Sequence, residues 1–228
     1  MPLRAVLFDA GNTLLFLDYA RMAAAVGGAL GLPLTGAELA AAAPTAARTM
    51  ERARLSDRER AVAYLEALFL AAGVPEARLV EVHELLPRMH AEQHLWSGTP
   101  TDAHEALARL RGAGLKLGIV SNSDGRVEEA LEAAGLRSYF DVVVDSSLAG
   151  VEKPDPAIFL AALEALGVRP AEALYVGDLY EVDVLGANAA GIPAVLLVPP
   201  GAPRPVGCAV VHSLRALADD LIKERLAS

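Results

Sequence analysis

Cysteine is nearly missing from these 228 residues: Cys208 stands alone, which rules out an internal disulfide framework and fits a reducing compartment. Lysine is almost as rare, with only Lys116, Lys153 and Lys223. Asparagine and glutamine are scarce while alanine, glycine, proline and arginine are all abundant. That bias fits selection against thermolabile amides or a GC-rich genome, and the joint excess of four residue types favours the second. Positive charge is short overall: the formal net charge of −9 argues against a broad basic footprint for nucleic acid or anionic membranes, though not against a small positive pocket. No apolar run approaches the roughly eighteen residues of a spanning helix. No basic segment leads into a long apolar core and a small-residue cleavage site, so no leader peptide is expected. The expected location is cytoplasmic, with no nucleic-acid or membrane partner and with oligomeric state left open.

What is abundant is apolar surface. Hydrophobic residues make up 54% of the chain and mean hydropathy is +0.35, enough for a large core and unlike a disordered chain. The length suits one good-sized domain, or a core domain carrying a smaller insertion. The chain is organised around residues 3–13, where the apolar run Ala5-Val6-Leu7-Phe8 meets Asp9 and then Ala10-Gly11-Asn12-Thr13. Such a run reads as a strand buried on both faces of a parallel sheet. Asp9 then stands at the carboxyl end of that strand, where ligands bind in open α/β sheets. Gly11 and Asn12 both tolerate positive φ, so a sharp turn is expected there.

Residues 18–95 read as helical throughout. The first helix covers about 18–30. A second follows Thr35-Gly36-Ala37-Glu38 into the alanine-rich run to about 54. A third starts at the capping box Ser56-Asp57-Arg58-Glu59, and a fourth opens at Pro75. The arginines at 48, 52, 54 and 58 read as a solvated helix face with Glu51 and Asp57. After Pro100 strands and helices alternate. Strands are expected at 115–120, 142–144, 174–176, 194–198 and 206–211, with helices at 102–112, 124–134, 155–166, 180–190 and 213–226. Alternation of this length predicts an α/β fold, a doubly wound parallel sheet. The expected core is residues 1–15 with 97–228, and residues 16–96 form an inserted all-helical cap.

Four loops at the carboxyl edge of that sheet carry distinctive polar sets: Asp9 with Thr13, Ser121-Asn122, Lys153-Pro154, and Gly177-Asp178 with Asp183. Singly, each is ordinary turn, cap or surface chemistry. Together they contain the parts of a phosphoryl-transfer site: a carboxylate nucleophile, oxygen ligands for Mg²⁺, and a hydroxyl and an ammonium for phosphate oxygens.

In order and spacing these sets resemble the motifs of the haloacid dehalogenase-like hydrolase superfamily: Asp-x-x-x-Thr, Ser-Asn, Lys-Pro and Gly-Asp-x-x-x-x-Asp. The helical insertion also falls where that family carries its cap. The resemblance implies a Rossmann-like core and a Mg²⁺-dependent phosphatase acting on a small phosphorylated metabolite. It makes Asp9 the nucleophile and Thr13 its orienting partner. Ser121 and Asn122 would hold the transferring group, and Lys153 would neutralise its charge. Asp9, Asp178 and the backbone carbonyl of Gly11 would bind the metal, with Asp183 in support.

The departure from the pattern is Gly11. Phosphatases of the family carry a second aspartate there as general acid/base, an effect worth roughly 10²- to 10⁴-fold. Three readings follow. Another group supplies the proton, with Asp18, Tyr19, His83, His90 and His94 as candidates; or the substrate is an acyl or aryl phosphate that leaves without one; or the chain is a non-hydrolytic phosphate-binding module. A 2-haloacid dehalogenase would carry a bulky aromatic at residue 11. A phosphonoacetaldehyde-type hydrolase needs a cap lysine, and residues 16–96 contain none.

Overall fold

A computed structural model describes residues 2–50, 57–199 and 207–227. The chain divides into two compact units, Leu17–Leu95 and the combination of Met1–Phe16 with Trp96–Ser228. Ser56 of the expected capping box, and Pro200, Gly201 and Val206 of the expected last loop and edge strand, lie outside the described residues, as do the side chains of Arg48, Arg52, Arg54 and Arg58.

The smaller unit consists of α1 (Tyr19–Leu30), α2 (Gly36–Met50), α3 (Asp57–Ala71) and α4 (Leu79–Glu92), with no strand among its described residues beyond Leu17 at its edge. Its helix starts follow local chemistry. Asp18 caps α1 by accepting from the Arg21 N–H at 3.0 Å. At α2 a capping box closes reciprocally: Thr35 Oγ1 accepts from the Glu38 N–H at 3.3 Å, and Glu38 Oε2 accepts from the Thr35 N–H at 2.8 Å. Pro75, expected inside the first helical turn, instead precedes a 3₁₀ turn, Glu76–Arg78, from which α4 continues.

The larger unit carries β1 (Ala5–Phe8), short strands β2 (Phe16–Leu17) and β3 (Trp96–Gly98) where the chain leaves and re-enters it, then β4 (Lys116–Ser121), β5 (Val142–Asp145), β6 (Ala173–Gly177), β7 (Ala194–Leu197) and β8 (Ala209–Val211). Six of these form one sheet in the order β5-β4-β1-β6-β7-β8, and every neighbouring pair is parallel. Between them run α5 (Ala103–Gly112), α6 (Val127–Ala133), α7 (Ser146–Ala149), α8 (Pro156–Leu166) and α9 (Leu185–Ala189), with α10 (Leu214–Ala227) last. The fold is a doubly wound α/β sheet.

The strand period shows in the core. Val6 and Phe8 of β1 join the cluster formed with α5, α6 and α10. Ala5 and Leu7 point the other way, into the cluster formed with α8 and α9. A strand covered on both faces has no polar side to display, which is why β1 is continuously apolar.

Further elements differ from the sequence reading. The helix expected at 124–134 begins at Val127, because the buried Asp145 carboxylate accepts from the N–H groups of Gly125 and Val127 and holds residues 124–126 as a loop. The helix expected at 180–190 opens as a π-helical turn, Tyr180–Val184, before α9. The short β2, β3 and α7 carry too few residues to show a period.

Candidate active site

Because the sheet is parallel, the carboxyl ends of its strands share one edge. Strand order runs outward from β1 in both directions, which opens a crevice at that edge. Phe8 lies in register with Ile119 of β4 and Val176 of β6. Asp9, Ser121 and Asp178 therefore emerge within two residues of one another, and the Asp9 N–H donates to the Val176 carbonyl at 2.8 Å.

The turn after Asp9 is closed by the Ala10 carbonyl, which accepts from the Leu14 and Leu15 N–H groups at 2.9 and 2.8 Å. Of the two residues expected at positive φ, Asn12 adopts it at 52° and Gly11 does not. The Asn12 side chain favours the charged form of the Asp178 carboxylate. Thr13 is wholly buried, and its hydroxyl has no hydrogen-bond partner among the described residues.

Lys153 ties the loops together. Its Nζ donates to Asp9 Oδ1 at 2.6 Å, to Asp183 Oδ1 at 2.8 Å and to the Tyr175 hydroxyl at 3.1 Å. The Lys153–Pro154 peptide is cis. Asn122, expected from the resemblance to hold the transferring group, brackets the Lys153 backbone. Its Nδ2 donates to the Lys153 carbonyl at 3.0 Å, and its Oδ1 accepts from the Lys153 N–H at 2.7 Å. Ser121 ends β4, buried beside this clasp.

Asp183 sits on the π-helical turn, a backbone irregularity frequent at functional sites. Its Oδ2 accepts from the Leu179 N–H at 2.9 Å, while Oδ1 takes both Lys153 and the Tyr175 hydroxyl. This carboxylate packs so tightly over the end of β6 that a Cβ on residue 177 would lie 2.4 Å from Asp183 Cγ. Residue 177 must be glycine for Asp183 to reach the lysine. At Gly11 a Cβ would meet only Trp96, with its Nε1 at 3.8 Å.

The electrostatics follow from burying three carboxylates around one ammonium. Burial pushes Asp9 up to about 6; Lys153 opposes the rise and Asp183 adds to it. Asp178 keeps part of its surface open to solvent, yet the dense protein around its carboxyl strips enough water to raise it well above the ordinary carboxylate range, helped by Asp9 and Asp183. Burial alone would depress Lys153, but the carboxylates of Asp183 and Asp9 more than reverse this and hold it firmly protonated.

The donor set fits a hard divalent cation. Asp9, Asp178 and Asp183 each offer an oxygen, and these lie within 4.8 Å of one another. With all three ionised, one ammonium leaves the cluster two charges short of neutrality, which Mg²⁺ would supply. Both oxygens of Asp183 already accept hydrogen bonds, so Asp9 and Asp178 are the better-placed ligands and Asp183 the support.

Tyr175 and Asp145 escape the sequence reading. For Tyr175 the signal is a lone hydroxyl in an otherwise apolar strand, two residues before Gly177; for Asp145 it is a carboxylate closing one. The residues weighed as replacement acids have local partners within the smaller unit. Asp18 caps α1, the Tyr19 hydroxyl lies 3.4 Å from that of Tyr64, His83 pairs with Glu66 at 2.9 Å, and His90 Nδ1 accepts from the Leu95 N–H at 3.3 Å. The His94 ring lies tilted against that of His90, with ring centroids 4.4 Å apart.

Comparison with known proteins gives the family. A family model for haloacid dehalogenase-like hydrolases matches residues 3–191. The chain is 38% identical over 151 residues to the haloacid dehalogenase-like hydrolase domain-containing protein 3 of Bos taurus, covering 66% of this chain and 59% of that protein. It is 40% identical over 133 residues to a phosphoserine phosphatase of Thermus thermophilus, covering 58% of this chain and 51% of that one. These matches span a little over half the length of the relatives. Among solved structures, a haloacid dehalogenase-type (HAD) phosphatase from Thermococcus onnurineus superposes with a TM-score of 0.62 at 28% identity, covering 96% of this chain and 98% of that one. A core whose four strand-end loops deliver Asp9, Ser121, Lys153 and Asp178 to one edge, matched over most of its length by the family model, makes this chain a member of the haloacid dehalogenase-like hydrolase family.

Proposed function

We propose that the chain is a Mg²⁺-dependent phosphatase that takes a small phosphorylated metabolite through a phosphoryl group covalently held on Asp9. The observation that carries the reading is the single ammonium of Lys153 fixed between Asp9 and Asp183, with Asp178 close enough to share a cation with Asp9. The phosphatases among its relatives support the choice of reaction class.

Asp9 attacks phosphorus, the bond to the leaving oxygen breaks, and water later cleaves the acyl phosphate to return the carboxylate. Lys153 offsets the charge on the transferring group. Asn122 acts by holding the Lys153 backbone, Ser121 by offering a hydroxyl at the end of β4, and Thr13, on the turn that follows Asp9, by a buried hydroxyl. Mg²⁺, bound by Asp9, Asp178 and the Gly11 carbonyl with Asp183 in support, would supply charge neutralisation that one lysine alone does not. With glycine at residue 11, substrates whose leaving group needs little protonation are turned over best. The reading carries a cytoplasmic location and a small-molecule partner with it.

The test is hydrolysis of a panel of phosphorylated metabolites and of p-nitrophenyl phosphate with and without Mg²⁺, using wild type and Asp9→Asn. Turnover that needs Mg²⁺ and vanishes in the variant is expected. Full activity in Asp9→Asn would remove the nucleophile from this scheme. Tight phosphate binding with no turnover would make the chain a binding module, and metal-independent halide release from a 2-haloacid would make it a dehalogenase.

A further inference from the structure

Tyr175 lies at the middle of β6, wholly buried, in a strand otherwise composed of alanine, leucine, valine and glycine. Phenylalanine would fill the same space with no polar atom to satisfy. The hydroxyl therefore needs a reason, and its partners supply one.

An ammonium has three hydrogens. Lys153 directs them at Asp9 Oδ1, Asp183 Oδ1 and the Tyr175 oxygen, at 2.6, 2.8 and 3.1 Å. Two of those acceptors are charged, and either alone would pull the ammonium toward itself. The third is neutral and rigidly placed: it sets direction without adding charge to an already acidic cluster. The hydroxyl's own hydrogen has two acceptors, the Val120 carbonyl and Asp183 Oδ1, each at 3.1 Å. Val120 immediately precedes Ser121, so the phenol links the end of β4, the Lys153 loop and the π-helical turn. Its ring is held edge-on to Phe159 of α8, the helix that follows Lys153, with centroids 4.9 Å apart and planes at 77°.

We infer that Tyr175 is a positioning residue: its hydroxyl fixes the direction of the Lys153 ammonium and of the Asp183 carboxylate, and so sets the charge that faces the group bound at Asp9. The kinetic side of this role rests on the phosphatase reading; the mutual dependence of Tyr175 and Lys153 does not.

Four proteins test it: wild type, Tyr175→Phe, Lys153→Met and the double variant. Tm is read by circular dichroism, and kcat and KM with p-nitrophenyl phosphate and Mg²⁺. Removing the hydroxyl is expected to lower kcat about tenfold, on the order of one hydrogen bond to a charged group, with KM within twofold. Its effect on Tm is expected to be clearly larger when Lys153 is present than in the Lys153→Met background, because only the ammonium is left short of an acceptor. A folded Tyr175→Phe with unchanged kcat, or equal losses of Tm in both backgrounds, overturns the proposal. If Tyr175→Phe alone fails to fold, the double variant is expected to fold, and its failure overturns the proposal too. An inactive wild type in which the coupling in Tm persists would end the phosphatase reading and leave the positioning role standing.

Discussion

At residue 11 one missing side chain separates this site from that of a phosphatase with a general acid/base. The backbone there does not demand glycine, because φ at residue 11 is not in the left-handed region that Asn12 occupies. Nor does space, since an added Cβ would meet only the Trp96 indole at ordinary van der Waals distance, 3.8 Å. Gly11→Asp is therefore expected to fold as wild type. It should raise kcat/KM for alkyl phosphates by at least roughly tenfold, within the range a positioned acid/base supplies, while changing p-nitrophenyl phosphate much less. A parallel assay of the two substrate types checks it; an equal effect on both would show that the new carboxyl does not act on the leaving group. Residue 177 is the opposite case, a glycine that Asp183 leaves no room to replace.

Among the elements, the start of β6 shows how a surface bond is tied to the centre of the sheet. Glu172 ends the turn Pro170–Glu172 that leads into β6. Its carboxylate accepts from the Arg169 guanidinium at 2.8 Å and the Arg169 N–H at 3.0 Å, and its carbonyl accepts from the Arg4 N–H at 2.7 Å, just before β1. These bonds to Arg169 lower the Glu172 carboxyl from 4.5 to about 2. A depressed folded value means that the unfolded chain takes up the proton first as pH falls. The contribution is thus complete above about 4.5 and drains away between there and about 2. Because the Arg169 side chain is 69% exposed, solvent screening keeps the effect small and salt-sensitive. Glu172→Gln is expected to lower Tm at pH 7 and to approach wild type as pH nears 2, in low-salt melts at matched pH. A Tm deficit that does not shrink with acid would place its cause in packing.

Over the molecule as a whole, the phosphatase proposal couples stability and metal binding through the same carboxylates. Without a cation, Asp178 faces Asp9 and Asp183 across a poorly solvated cluster and is raised well above its ordinary range. Asp178→Asn is therefore expected to raise Tm in EDTA while abolishing turnover. Mg²⁺ should stabilise the wild type by about 2.7 kcal/mol at a hundredfold excess over Kd, several degrees in Tm for a chain of this size, and should leave Asp178→Asn unmoved. Calorimetry with and without Mg²⁺ reads both signs. An equal metal shift in the variant would put the cation elsewhere.

Much of this molecule is written in local chemistry, which a sequence displays. The apolar run at Ala5–Phe8, the Asp155-Pro156 start of α8 and the Thr35–Glu38 box each depend on neighbours a few residues away. The residue types of the motifs, and the alternation that calls for a parallel sheet, are legible in the same way. What only the tertiary structure decided is which distant groups meet. The bond between Lys153 and Asp9 spans 144 residues and exists because the crossovers place β1 between β4 and β6. Asn122's commitment to the Lys153 peptide, and the Tyr175 hydroxyl at the centre of the cluster, depend on that strand order, because a side chain's partners across a sheet are set by register and packing between strands rather than by any periodicity along one of them.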